Sequence, residues 1–195
     1  MNFDETFTDK LLNITTEGRD ESYSDDQNYP YEPTPYSVLE RLKDSGLISA
    51  ESSVIDFGCG KGRTCFYLSE KTGCKCLGVE AFELFYATAM ANLEGKDISV
   101  SFENVPAEEF NIPSEADSMY FFNPFSVDIL KKVVDNIVES YYENPRDIKL
   151  FFYYPSDEYV SYLMGVGELM FYDEIDCNDL FEEDTDRNRI MIWEF

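Results

Sequence analysis

The chain has 195 residues, enough for one domain with a real core, and its 40 acids against 15 bases give a formal net charge of −25. Nucleic-acid affinity rests on neutralising phosphates with Lys and Arg, so this balance makes DNA or RNA an unfavoured partner and suits a cationic protein or a small amine. With 14 Tyr and 16 Phe the chain is no disordered acidic tail, and no apolar run is long enough to span a bilayer.

The first residues, MNFDETFTDK, lack the basic-then-apolar order of a signal peptide, which predicts a cytoplasmic protein. Residues 1–33 read as an acidic arm without sustained period, with a short helical turn expected in DKLLNI. A single domain is expected over residues 34–195. It opens with a helix in PTPYSVLERLKDSG, where Val38, Leu39 and Leu42 share one face and Gly46 stops the run.

From Ser52 the pattern alternates. SVIDFG is a short strand running into glycines, and GRTCFYLSEKTG is a helix ended by Gly73. CKCLGVE predicts a second strand, AFELFYATAMANLEG a second helix and ISVSFEN a third strand. ADSMYFFN is a fourth strand, halted at Asn123-Pro124-Phe125 because proline removes a ladder donor. The helix VDILKKVVDNIVESYYEN, the strand DIKLFFYYP and the short helix SDEYVSYLMG follow. The tail holds two strands, ELMFYDEIDC and RNRIMIWEF, with no helix between them. Alternation of this kind predicts a mostly parallel sheet with helices on both faces and an antiparallel pair at its edge.

Five cysteines, four of them between Cys59 and Cys76, form no paired framework, and a reducing compartment is the simpler setting. Without histidine or a second matching pair they read as buried thiols, and no metal site is expected. Asp184, Asp186 and Asn188 start like a calcium loop, but Arg189 stands where that loop needs glycine.

VIDFGCGKGR carries the most chemistry. Gly58, Gly60 and Gly62 sit where the first strand turns into the first crossover helix, a place where backbone must approach a ligand closely. The third glycine of a dinucleotide fingerprint would fall on Arg63, which disfavours a nicotinamide or flavin cofactor. At the end of the second strand stands Glu80, able to accept hydrogen bonds from two ribose hydroxyls.

The run D-x-G-x-G-x-G, the acid ending the second strand and Asn-Pro-Phe after the fourth resemble the class I, Rossmann-like S-adenosylmethionine-dependent methyltransferases over about residues 34–195. That resemblance implies a seven-stranded sheet of order 3-2-1-4-5-7-6 with an antiparallel C-terminal pair, and S-adenosylmethionine as cofactor. It places Gly58, Cys59, Gly60 and Gly62 beneath the methionine part, Asp56 at the ammonium end, Glu80 on the ribose, and Ala81 and Phe82 beside the adenine. Pro106 stands where an adenine-binding Asp is common in the family, so Glu108 or the backbone of Val105 and Ala107 would take that contact. YEPTPYSVLERL resembles a segment lying over the cofactor in some of these enzymes, which makes Thr34 and Tyr36 contact residues or, on the plainer reading, a loop and cap before a helix.

Methyl transfer from a sulfonium needs alignment and a dry site rather than an acid, and an amine acceptor must also be neutral. Asn123 either accepts a hydrogen bond from a substrate N–H or caps the next helix; the motif lacks one proline of the N-P-P-Y/F signature of nitrogen methyltransferases. Tyr153 or Tyr154 is expected to wall an acceptor pocket at the same rim, only one of them facing it. The resulting expectation is a methyltransferase acting on nitrogen of a protein or small molecule. A small-molecule O-methyltransferase and a non-catalytic module on the same fold are the alternatives, and the oligomeric state is left open.

Overall fold

The computed structural model describes residues 5–195; the first four residues of the acidic arm lie outside them. Seven strands form one sheet of order β3-β2-β1-β4-β5-β7-β6. They are β1 (Ser53–Phe57), β2 (Lys75–Glu80), β3 (Val100–Asn104), β4 (Ser118–Phe121), β5 (Lys149–Tyr153), β6 (Met170–Asp176) and β7 (Arg189–Glu194). Pairing is parallel from β3 to β5, and β7 runs antiparallel to both β5 and β6; the pattern of the tail predicted the β6/β7 pair and the family resemblance the rest.

Successive side chains of each central strand enter opposite layers. In β1, Ile55 and Phe57 face one layer while Val54 and Asp56 face the other. Register sets Phe57 beside Phe121 and Phe121 beside Phe152, and their rings stack at 5.0 and 4.6 Å. Each fully buried ring contributes about 1.5–3 kcal/mol of transfer free energy. Helices α5 (Val127–Glu143) and α6 (Asp157–Leu163) close that layer, while α2 (Tyr36–Asp44), α3 (Arg63–Thr72) and α4 (Glu83–Leu93) close the other.

The arm departs most from its sequence pattern. Helix α1 (Glu5–Leu12) starts four residues before the expected turn in DKLLNI. Residues 20–31 then double back, with Asp20 and Tyr31 exchanging both backbone hydrogen bonds at 3.0 and 2.9 Å. Asp25 accepts the amides of Gln27 and Asn28 to form the tip of that loop, an arrangement suited to Asp and Asn.

Candidate active site

The strand ends converge on one cavity of about 290 Å³ at the carboxyl edge of the sheet, beside the β1/β4 switch of strand order. Its floor comes from the glycine turn. The amides of Gly58 and Cys59 both donate to Val79 O of β2, at 2.9 and 3.1 Å, which bends the chain sharply after β1. Gly58 has φ 71°, and a Cβ there would lie 2.5 Å from Pro124. The proline that ends the fourth strand therefore rests on the glycine that ends the first.

Glu80 is buried and holds the turn from the side. Its Oε2 accepts the Gly60 amide and its Oε1 the Phe82 amide, each at 2.8 Å. Burial raises its pKa, and these backbone donors oppose the rise. Asp56 lies deeper, 3% exposed. Burial, reinforced by the charge of Glu80, pushes its pKa up to about 7, while hydrogen bonds from Cys65 and Thr64 pull the other way. Burial likewise lifts the Cys59 thiol well above its ordinary range, so it is no nucleophile.

Asp56, Gly58, Cys59, Glu80, Ala81, Phe82, Ala107 and Thr34 all line the cavity, as do Pro106 and Glu108. Several other expected residues are not among its walls. A Cβ at Gly60 would lie 2.2 Å from the Tyr31 ring, so that glycine is roofed by the arm; one at Gly62 would meet Phe102 at 2.6 Å. Val105 gives its amide to Glu80 O and packs against the core. Tyr36 is fully buried, and its hydroxyl donates to the Asp9 carboxylate. Tyr153 is held in the core against the Phe122 ring at 4.7 Å.

Asn123 sits between two wall residues, Phe122 and Pro124, in a left-handed conformation with φ 42° that asparagine tolerates better than most. Ser126, and not Asn123, caps α5, its Oγ accepting the Ile129 amide. The Asn123 Oδ1 is buried without a hydrogen-bond partner among the described residues. Such an atom costs free energy unless a ligand or water completes it. Tyr154, at the end of the adjacent β5, is also left-handed at φ 52°. Strain of this kind at two neighbouring strand ends is a usual accompaniment of a working site.

The N-terminal segment roofs the cavity: its part from Tyr31 onward was expected over the cofactor, and Gln27, Asn28, Tyr29 and Pro30 were not. Gln27 to Pro33 all line the cavity. Their backbone is tied to the Asn-Pro-Phe turn: Tyr29 donates to Pro124 O at 3.1 Å and Ser126 donates to Gln27 O at 2.7 Å. Tyr31 packs on Phe85 at 4.9 Å, and Tyr23 on Phe82 at 5.4 Å. The available signal was the run Tyr29-Pro30-Tyr31-Glu32-Pro33, whose prolines favour extended backbone. Four carboxylates, Glu32, Asp56, Glu80 and Glu108, face the cavity against one guanidinium, Arg63. That field attracts a cation and suits a sulfonium carrying an ammonium group.

Residues 54–142 match the family described as a methyltransferase domain. A curated relative, a protein-lysine N-methyltransferase from Saccharolobus islandicus (strain REY15A), is 32% identical over 71 residues, 36% of this chain and 44% of its own length. The match thus spans less than half of that relative. Among solved structures, an RNA methyltransferase from Salinibacter ruber in complex with S-adenosyl-L-homocysteine aligns with TM-score 0.56 and 18% identity, over 84% of this chain and 93% of that one. The human methyltransferase 10 domain containing protein aligns at TM-score 0.61 and 13% identity, over 97% and 92%. A TehB-like SAM-dependent methyltransferase from Corynebacterium glutamicum gives 0.59 and 15%, over 80% and 85%. These likenesses establish the fold, and the matched segment, less than half of the chain, includes the glycine turn, Glu80 and Asn-Pro-Phe.

Proposed function

We propose that this chain, whose fold and matched segment are those of the class I, Rossmann-like methyltransferases, transfers a methyl group from S-adenosylmethionine to a nitrogen of a protein or small amine. One observation carries the reading: an acid-lined cavity at the β1/β4 switch, walled by the glycine turn, Glu80 and the Asn-Pro-Phe turn together.

In this reading Glu80 takes the ribose hydroxyls with the carboxylate edges that its two amide donors leave free, and Phe82 and Ala81 flank the adenine. Asp56 stands near the ammonium end. Ala107 or Glu108 meets the adenine edge that Pro106 cannot serve. The cofactor supplies the electrophilic methyl; the chain holds it, keeps water out with the Tyr31 and Phe85 rings, and presents the acceptor from the side of Phe122 and Asn123. The Asn123 Oδ1 then accepts an N–H of the acceptor, which aligns the nitrogen lone pair with the methyl.

Nitrogen is favoured by the Asn123 oxygen, which has no partner among the described residues, and by the protein-lysine relative. RNA methyltransferases are among the fold neighbours, but a net charge of −25 favours a cationic acceptor over a polyanion. Incubating the full chain with methyl-labelled cofactor and a cell extract, then separating protein, RNA and small molecules, tests the acceptor. Label on protein or on small amines supports the reading. Label confined to RNA, or to an ester or ether oxygen, overturns the choice of nitrogen on a protein or small amine.

A further inference from the structure

Arg63 is the first residue of α3, immediately after the glycine turn, and its side chain is 3% exposed. A buried guanidinium needs several partners. Every partner it has among the described residues lies in the N-terminal segment. Its Nε donates to Thr16 Oγ1 at 2.7 Å, and its terminal nitrogens reach Asp9 Oδ1 at 3.4 Å, the Glu5 carboxylate and Thr34 O at 3.4 Å. Its plane also lies 4.3 Å from the centre of the Tyr36 ring. Asp9 is equally committed: it accepts the Thr16 amide at 2.6 Å, the Thr16 hydroxyl at 2.8 Å and the Tyr36 hydroxyl. Six residues, Glu5, Asp9, Thr16, Thr34, Tyr36 and Arg63, drawn from α1, the chain that follows it, the start of α2 and the start of α3, thus form one polar cluster.

We infer that Arg63 is a positioning residue that clasps the N-terminal arm onto the glycine turn and so holds roof residues 29–34 over the cofactor cavity. The connections run directly from clasp to roof. Thr34, whose carbonyl Arg63 holds, is itself a wall residue, and its hydroxyl is fixed by the Tyr120 hydroxyl at 3.1 Å. Thr16 is tied to the roof at its other end, because the Tyr31 hydroxyl donates to Thr16 O. Tyr31 in turn fills the space above Gly60. Releasing Arg63 removes the tie at Thr34 O and loosens the Thr16 anchor of Tyr31, leaving the roof held only by contacts such as Tyr29 with Pro124 O and Thr34 with Tyr120, while the sheet and its floor stay intact. Charge alone does not make such a clasp: the planar fork serves four acceptors in different directions, which a lysine ammonium on the same stem cannot do.

As far as it concerns ligand retention, the inference rests on the proposed cofactor, so the test has two independent readings. Amide exchange on the ligand-free full chain reports the roof, and calorimetry with S-adenosylhomocysteine reports the cavity. In Arg63→Met, exchange of residues 20–34 is expected to accelerate at least tenfold while β1 and β4 keep their protection, and affinity for S-adenosylhomocysteine is expected to fall at least tenfold. Arg63→Lys recovers part of both. Thr16→Val, which removes the Nε acceptor without burying an unpaired charge, gives the same pattern in weaker form and decides the matter where Arg63→Met does not fold. Unchanged arm exchange in Thr16→Val, or in a folded Arg63→Met, overturns the inference. A wild type that binds no S-adenosylhomocysteine sinks the cofactor reading instead and leaves the exchange result to judge the clasp.

Discussion

The floor and the roof of the cavity are built by opposite means. The floor is local: β1, its glycine turn and α3 lie within twenty residues, and the turn closes on Glu80 of the next strand. The roof is assembled at a distance, by Thr15 with Asn92, Thr16 with Arg63, and Tyr29 with Pro124. A floor made of short-range pattern folds with the sheet. A roof made of polar contacts across the sequence holds only while each of those partners is in place, and such segments open more readily than the core.

The largest effect is expected on the floor. In Glu80→Ala the proposed ribose acceptor is lost along with the acceptor for the Gly60 and Phe82 amides. Two charge-assisted hydrogen bonds correspond to about a hundredfold loss of cofactor affinity, measured by calorimetry, with the roof amides remaining protected. Gly60→Ala joins the two halves: at φ 54° its methyl would meet the Tyr31 ring. It should destabilise the chain by about 2 kcal/mol in denaturant unfolding and loosen the arm, which Glu80→Ala does not. A Gly60→Ala chain with normal roof protection would break the comparison.

Asn123→Ala separates chemistry from stability. Removing a buried oxygen that has no hydrogen-bond partner among the described residues gains about as much as alanine loses at positive φ, so unfolding should change by less than about 1 kcal/mol. Turnover should fall about tenfold or more, the worth of the one hydrogen bond proposed to the acceptor, with cofactor affinity unchanged. Full turnover in this variant would return the turn to a purely structural role.

The smallest effect is a pH dependence. Asp56 has a folded pKa of about 7, above its ordinary 3.8. A raised carboxyl favours the folded chain when protonated, so its contribution is complete below about pH 4 and is lost as pH rises through about 7. A cationic ligand beside Asp56 pulls the proton off. Affinity for S-adenosylmethionine should therefore rise by up to about tenfold between pH 6 and pH 8, with proton release visible in buffers of different ionisation enthalpy. Asp56→Asn should flatten that profile.

This division also explains what the amino-acid sequence disclosed. Strand alternation and the turn after Phe57 act over a few residues, and so the mostly parallel sheet, the antiparallel edge and the positions of Gly58, Glu80 and Asn123 were legible, while the strand order came from the family resemblance. Arg63 was readable only as a mismatch to a dinucleotide fingerprint, because its hydrogen-bond partners lie 29 to 58 positions away. The arm showed no period, since its order comes from Asp9, Thr16, Tyr31 and their distant partners rather than from an apolar stripe. Tyr36 and Tyr153 looked like site residues from their neighbours in the chain, yet the hydroxyl of one is held by Asp9 and the ring of the other by Phe122.

Titration of the full chain with S-adenosylhomocysteine, beside Glu80→Ala under the same conditions, tests the central claim most directly. Saturable one-to-one binding to the wild type, weakened about a hundredfold in the variant, is the result predicted. No binding to the wild type, or equal binding to both, would contradict a cofactor seated between the glycine turn and Glu80.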